Sequence, residues 1–388
     1  MAEDLKAGMI STFPPPGEKH AAGMGGVASY TQNLVENLSG LVDSLTVFSN
    51  NEGYEEEDYK VVESWKKGIL YPLTNWLNIR DQDEDFDIIH IQHEMFLYGG
   101  ALSAAVFPLL ALLLRLSRKK VIVTLHNGLI SKEKIDTGFC QRHGMPEFPR
   151  LWRTGLHLYF RSIGLASNEL IVHEEKFEQI LEDDYGLPGE KLNVIPHGVE
   201  EVENKEPIET EVPVILFFGY IAPYKGVETL IEVEEHLDFA HRTIIAGGKH
   251  PDADEGNVYE EYYQEIKEKA ENHDNIEMTG FVKEEEIGEY FRKADVVVLP
   301  YKDVFSSSGP LHLALAYQTM VIGSEDFNEV FFPDRDQAEL ISELQGLGRF
   351  NGLNQEKNIQ LPSWSFISRK TFNLYKEISE LEVGKYGG

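Results

Sequence analysis

The sequence predicts two doubly wound α/β domains that close on a central cleft. Three observations predict this architecture. At 388 residues the chain exceeds what one hydrophobic core usually supports, so two domains are expected. Short aliphatic, β-rich runs alternate with helical stretches, the pattern of helices layered on parallel sheets. That alternation runs twice, and residues 200–212, EEVENKEPIETEV, interrupt it with a polar, acidic stretch that reads as a linker.

In the first half, strands are expected at 7–12, 44–48, 88–92, 120–125, 169–172 and 192–195. Helices between them are expected to include 27–38, 101–116 and 174–184. After the linker come strands at 214–218, 242–246, 275–279, 296–299 and 320–323. The intervening helices fall at 227–236, 258–271, 283–293 and 311–317. The domain boundaries follow: 1–199, a linker at 200–212, 213–363, and a last helix from 364 that completes the first domain. Ligands of such folds sit at the carboxyl ends of the strands, here in the cleft between the domains.

Composition narrows the function. With 42% hydrophobic and 11% aromatic residues the chain can build real cores, which excludes general disorder. A formal net charge of −31 argues against nucleic acid as a partner and suits a saline cytoplasm. The single cysteine, Cys140, excludes a disulfide framework and a cysteine-built zinc site. The polar N-terminus lacks a signal-peptide core, and the most apolar window, residues 101–114, is shorter than the roughly 20 residues a bilayer span needs. A cytoplasmic protein is expected.

The charge is uneven. Residues 1–199 carry a net −10 and residues 200–388 a net −21, whereas residues 101–166 are net +7. This basic island, which includes Arg142 and Arg153, is expected to face an anionic or lipid-linked acceptor, or an anionic membrane at the inner face of the cell membrane. The alternative is a buried helix with scattered charges.

Four segments are candidates for chemistry. Gly25 and Gly26 open a helix, where bare amides and the helix dipole suit a pyrophosphate. Gly23-x-Gly25 is no dinucleotide fingerprint, because about ten residues separate it from the first strand. A strand ending at Gly219 and Tyr220 leads into a loop presenting Lys225, placed to balance a phosphate leaving group. Ser307, Ser308 and Gly309 precede a helix with Pro310 in its first turn, which makes a second anion nest with His312 just inside it. His90, His93, Glu94 and His126 lie at strand ends where doubly wound domains carry chemistry, with His90 reading as a core histidine. A metal site there lacks the helical ligand spacing it would need, and Asp83-Glu-Asp85 reads as a solvated loop instead of a metal-binding acid pair.

Together these residues resemble family 4 of the glycosyltransferases, retaining enzymes of GT-B architecture with two Rossmann-like domains. Gly25-Gly-Val-Ala-Ser-Tyr30 resembles the family's helix start, and Val123-Thr-Leu-His126 its acceptor-domain histidine strand. Val194-Ile-Pro-His-Gly-Val199 is similar to the interdomain crossover, and Phe218-Gly-Tyr-Ile through Gly226 to the donor loop. Ser363-Trp364 with its helix looks like the C-terminal segment that packs back on the first domain. Gln92-His-Glu through Gly100 resembles a loop of a subgroup associated with mannose.

The resemblance implies metal-independent, retaining transfer of a hexosyl unit from a UDP- or GDP-sugar to a sugar or lipid-linked acceptor. It implies catalytic roles for His126, Lys225 and Glu94, and donor contacts from Gly25, Gly26, Gly219, Tyr220, Lys225, Phe281, Ser307, Ser308, Gly309 and His312. His93, Arg142 and Arg153 would serve the acceptor side. Two departures stand out. Tyr220 and Ala222 occupy the place of the usual donor-loop arginine, and Phe305 and Leu313 that of the paired glutamates. They keep two other readings open: a non-catalytic paralogue that binds a nucleotide sugar, and a UDP-sugar epimerase.

Overall fold

The computed structural model describes residues 3–16, 26–82, 85–234, 236–332 and 362–380. Gly25 and the Asp83-Glu84 part of the acidic run lie outside these residues.

Two sheets form. The first carries strands β1 (Glu3–Ile10), β2 (Val42–Ser49), β3 (Tyr54–Glu55), β4 (Lys60–Glu63), β5 (Ile88–His93), β6 (Lys120–Leu125), β7 (Glu169–Val172) and β8 (Leu192–Val194). Their order is β3-β4-β2-β1-β5-β6-β7-β8, parallel except for the β3–β4 pair. The second carries β9 (Val214–Phe218), β10 (Arg242–Ala246), β11 (Ile276–Gly280), β12 (Val296–Leu299) and β13 (Met320–Gly323), all parallel, in the order β11-β10-β9-β12-β13. In both, the order reverses beside the first strand, which opens a crevice at the strands' carboxyl ends. β5, β9 and β12 are wholly or almost wholly buried along their length, which continuous Ile and Val runs permit in a sheet covered on both faces.

The first domain's helices are α1 (Gly26–Leu38), α2 (Tyr71–Arg80), α3 (Ala101–Ala105), α4 (Phe107–Leu116), α5 (Thr137–Arg142), α6 (Pro149–Ala166) and α7 (Glu175–Asp183). The expected single helix at 101–116 is two, broken at Val106. Pro108 supplies no N–H and its ring crowds the carbonyl four residues back, so the helix restarts with Pro108 in its first turn. The second domain adds α8 (Val227–Glu234), α9 (Val258–Ala270), α10 (Glu284–Lys293), α11 (Gly309–Ala316) and α12 (Glu325–Phe331).

The last described helix, α13 (Trp364–Glu380), packs on α1, where the Ser368 hydroxyl donates to the Leu34 carbonyl at 3.4 Å. The chain thus crosses between sheets twice, side by side. Val199 N–H donates to the Pro362 carbonyl at 2.9 Å and pairs in parallel with Ser363. At this crossing Gly198 passes under the Trp364 ring, and a Cβ there would lie 2.4 Å from it.

Candidate functional site

The donor-side features converge at the carboxyl ends of β9 and β12. After β9 the chain turns through Pro223–Lys225 and reverses at Gly226, whose φ is +64°. A Cβ at Gly226 would sit 2.2 Å from the Pro300 carbonyl oxygen, so only glycine fits, and the turn fixes Lys225. The Lys225 ammonium lies over the Tyr301 ring, donates to its hydroxyl at 3.0 Å, and would be 3.2 Å from a Cβ on Gly219. The Tyr301 hydroxyl is in turn 3.4 Å from the Ser308 hydroxyl.

Ser308 caps α11, accepting from the Leu311 N–H at 3.3 Å, with proline in the first turn. Lys225, Tyr301, Ser306, Ser307 and Gly309 line a small cavity at this helix start. The Ser307 hydroxyl there is buried and lacks any hydrogen-bond partner, although buried polar groups are normally paired. A Cβ on Gly309 or on Gly26 would meet nothing, so both helix starts have open space beside their first residue. An orphaned hydroxyl, a fixed ammonium and a helix start with open space beside it are groups that suit an anion.

Beside it, the loops after β9, β10 and β11 are zipped together: Ile221 pairs with Lys249, and Gly247 with Gly280. They present Tyr220 (37% exposed) and Phe281 (63% exposed), two aromatic rings open to solvent.

Across the cleft the first domain answers with Glu94 and Asn127. Asn127 accepts from the Met95 N–H at 2.8 Å, donates to the Glu94 carboxylate at 3.4 Å, and forms a bridge with Ser306. Burial pushes the Glu94 carboxyl above its ordinary range, with Asp252 adding to the effect and Lys67 opposing it. Leu129 N–H donates to the Phe305 carbonyl at 3.0 Å, so the serine loop is laced to both domains.

His126 is not a free group in this cleft. Its Nε2 donates to Gln92 Oε1 at 2.8 Å and its Nδ1 faces His173 Nε2 at 3.3 Å. Tyr30 of α1 packs against His126, His173, His197 and Trp364, with ring centroids 4.7–5.2 Å apart. His312 stacks on His197 at 4.2 Å and donates from Nδ1 to the Ser308 carbonyl at 2.6 Å. Six histidines thus sit in or beside one buried seam. Burial drives the pKa of His90, His93 and His173 down to about 3 and of His197 to about 4, with neighbouring histidines adding to the effect on His90 and His173. His126 and His312 are pushed well below their ordinary value, first by burial and then by neighbouring imidazoles. These rings are neutral at pH 7 and act as hydrogen-bonding spacers, not cations.

The three residues expected on the acceptor side are committed elsewhere. Arg142 grips Asp303 of the second domain through two hydrogen bonds of 2.7 Å, and His143 Nε2 lies 3.2 Å from the same carboxylate. The pair holds the Asp303 carboxyl below its ordinary range despite burial. Arg153 donates to the carbonyls of Ile135 at 2.9 Å and Glu133 at 3.5 Å, bracing a loop. His93 is buried against Phe107, with Nε2 2.7 Å from the Tyr159 hydroxyl. Lys134 also crosses to the second domain, pairing with Asp326 at 2.9 Å and Glu329 at 3.0 Å. Two cations of the basic island, Lys134 and Arg142, therefore clasp the acidic second domain. His90 is a core residue, held between the hydroxyls of Tyr375 and Thr124 at 2.7 Å each.

Comparisons with known proteins agree with this geometry. The Glycosyltransferase Family 4 model matches residues 24–202, and the Glycosyl transferases group 1 model matches residues 198–328. The chain belongs to the family 4 and group 1 glycosyltransferases. No curated protein sequence matches it. Among solved structures, sucrose-phosphate synthase from Thermosynechococcus elongatus is similar in fold, with a TM-score of 0.69 and 16% identity over 96% of this chain and 99% of that one. Anabaena HepE in complex with UDP-glucose matches at TM-score 0.59 and 13% identity, covering 98% and 99% of the two chains. The catalytic domain of Arabidopsis thaliana starch synthase IV, bound to ADP and acarbose, matches at 0.61 and 12%, covering 98% and 100%.

In this glycosyltransferase several site residues escape a reading of the sequence. Asn127 and Asp303 organise the cleft, and their only linear signal is a position just past β6 or β12. Glu174, directly after β7, has burial and the neighbouring Glu175 raising its carboxyl pKa to about 8. It opens α7 without capping it. Among the described residues no group of three or more His, Cys, Asp or Glu side chains is arranged to hold a metal ion.

Proposed function

We propose that this glycosyltransferase moves a hexosyl unit from a UDP- or GDP-sugar to a carbohydrate or lipid-linked acceptor, with retention at the anomeric carbon and without a metal. The observation that carries the reading is the buried, unpaired Ser307 hydroxyl beside the fixed Lys225 at the start of α11. A diphosphate there satisfies Ser307, takes the amides of Ser308 and Gly309, and sits beside the ammonium. The base stacks on Tyr220 and Phe281, the residues with exposed rings next to the site. Complexes of similar folds with UDP-glucose and with ADP support a nucleotide-sugar donor.

As the bond from the anomeric carbon to the diphosphate oxygen breaks, negative charge grows on that oxygen. Lys225 and the α11 amides meet it in a site that needs no reorganisation. The acceptor hydroxyl oxygen bonds to the anomeric carbon and its proton passes to Glu94, whose raised pKa makes it the stronger base. His126, with both nitrogens engaged, positions the Asn127 turn that holds Glu94. Lys225 and the helix-start amides thus take over from the arginine that Tyr220 or Ala222 replaces.

A panel of UDP-, GDP- and ADP-sugars tests the proposal by product formation and by release of the nucleotide. Turnover with a UDP- or GDP-hexose is expected. Nucleotide binding without transfer to any acceptor, or conversion of a UDP-sugar with no acceptor present, would replace it with the binding-protein or epimerase reading.

A further inference from the structure

The first domain carries an outer face that its composition marks as unusual. Asp and Glu make up 66 of 388 residues, yet α2, α3, α4 and α6 contain none. α4 packs between α2 and α6. Its inner stripe, Phe107, Leu110, Ala111 and Leu114, is buried in the core. Its opposite stripe, Leu109, Leu112 and Leu116, is 43–72% exposed, although the outer face of a surface helix is ordinarily polar. On α6, Leu151, Leu158 and Leu165 recur every seven residues and are each more than 60% exposed. The Arg115 guanidinium bonds the Leu165 carbonyl, which joins the two stripes at their carboxyl ends. At the cleft end the patch continues through Ile69, Leu70, Phe96 and Leu102, all more than half exposed. Exposed cations accompany it: Lys67, Arg118, Arg150 and Arg161.

We propose that this face docks on an anionic lipid bilayer, lying in the interface with its leucines among the acyl chains. A contiguous apolar face of this extent is rare on a protein that stays free in water. The charge pattern selects the occupant. A second copy of the chain would set these carboxylate-free helices against themselves and bring arginine against arginine. An anionic bilayer supplies acyl chains for the leucines and phosphates for the cations in one surface. The acidic second domain does not defeat the approach, because a Debye length of about 8 Å at physiological salt screens charge that is not at the interface. No helix among the described residues is long and apolar enough to cross a membrane, so the contact is peripheral.

The geometry couples docking to the cleft. Phe96 is two residues from Glu94, and the Gly68 N–H bonds the Tyr98 carbonyl at 3.0 Å, so the end of the patch is the wall of the site. Only this coupling rests on the transferase reading. A lipid-linked acceptor held in the bilayer would present its hydroxyl at that wall.

Vesicle flotation tests the proposal with no donor or acceptor present. The full chain is expected to float with equimolar phosphatidylglycerol–phosphatidylcholine vesicles and to stay at the bottom with phosphatidylcholine alone. Leu112→Asp/Leu158→Asp should lower partitioning more than tenfold with the melting temperature unchanged, since both side chains are exposed. Arg118→Glu/Arg150→Glu should lower it several-fold and weaken its salt dependence. Absence of flotation with the anionic vesicles overturns the proposal. So does light scattering that shows a dimer converted to monomer by the leucine variant, which would make this face a self-interface. Lack of turnover would refute the transferase chemistry and leave the flotation result standing.

Discussion

Acidification from pH 7.5 to 5.5 should strip this protein of a large share of its stability, because the histidine seam cannot take up protons while folded. In the unfolded chain each histidine titrates near pH 6.5. Burial holds His90, His93 and His173 near 3 and His197 near 4, with His126 and His312 also far below. The unfolded state therefore binds more protons below pH 6.5. The stability these rings contribute is intact above that pH and is lost as pH falls toward 3. One unit below 6.5 the loss is about 1.4 kcal/mol per ring, or about 5.5 kcal/mol for His90, His93, His173 and His197, and His126 and His312 add in the same direction. Glu174 works the other way. Its raised pKa means stability is regained as pH falls from 8 toward 4.5, which returns about 2.5 kcal/mol over the same interval. A net loss of at least about 3 kcal/mol compares with a total of about 5–15 kcal/mol for a typical domain. Circular-dichroism melts at pH 7.5, 6.5 and 5.5 and constant ionic strength should show the melting temperature falling by roughly 10 °C, mostly below pH 6.5. A melting temperature that is flat or rising over that range would refute the reasoning.

Further outcomes follow from single residues. Glu174→Gln should raise the melting temperature at pH 8, where it removes an uncompensated buried charge, and change little at pH 5. Arg142→Ala leaves the buried Asp303 carboxylate at the domain interface with only His143 beside it. It should cost about 3–5 kcal/mol and loosen the cleft, read as a lower melt and faster proteolysis of the serine loop. Gly198→Ala forces a Cβ into the Trp364 ring, so a backbone shift of the crossing should cost at least about 2 kcal/mol, read by urea unfolding.

Six strands, among them Lys120–Leu125, Val214–Phe218 and Val296–Leu299, have the bounds the sequence suggests. A parallel strand buried on both faces must be a continuous aliphatic run, and polar residues end it sharply. The serine cap of α11 was legible for a similar reason, since capping needs a short hydroxyl beside a proline-led helix. By contrast α6, eighteen residues long, was hidden by its own surface. Its buried residues, Phe160, Ile163, Gly164 and Ala166, cluster at one end, and leucines on the outer face blur the helical period. The short β3–β4 pair and α2 carry too little pattern to stand out.

The roles of the basic residues were illegible because their partners are remote. Arg142 and Asp303 are 161 residues apart, and Lys134 and Asp326 are 192 apart. The net charge of residues 101–166 thus pointed to an external anion, where two of its ten cations answer carboxylates of the protein's own acidic domain. The histidine seam gathers rings from β5, from the ends of β6, β7 and β8 and from α11, a convergence that only the two sheets' topology creates.

The central claim is that a nucleotide sugar's diphosphate rests on Lys225 and the serine-capped start of α11. Isothermal titration with UDP- and GDP-hexoses, comparing the wild type with Lys225→Ala, tests it most directly. The account predicts binding of at least one donor, weakened about tenfold or more by the substitution, with transfer slowed roughly 10²–10³-fold. Binding that Lys225→Ala leaves unchanged, or no binding of any donor, would contradict it.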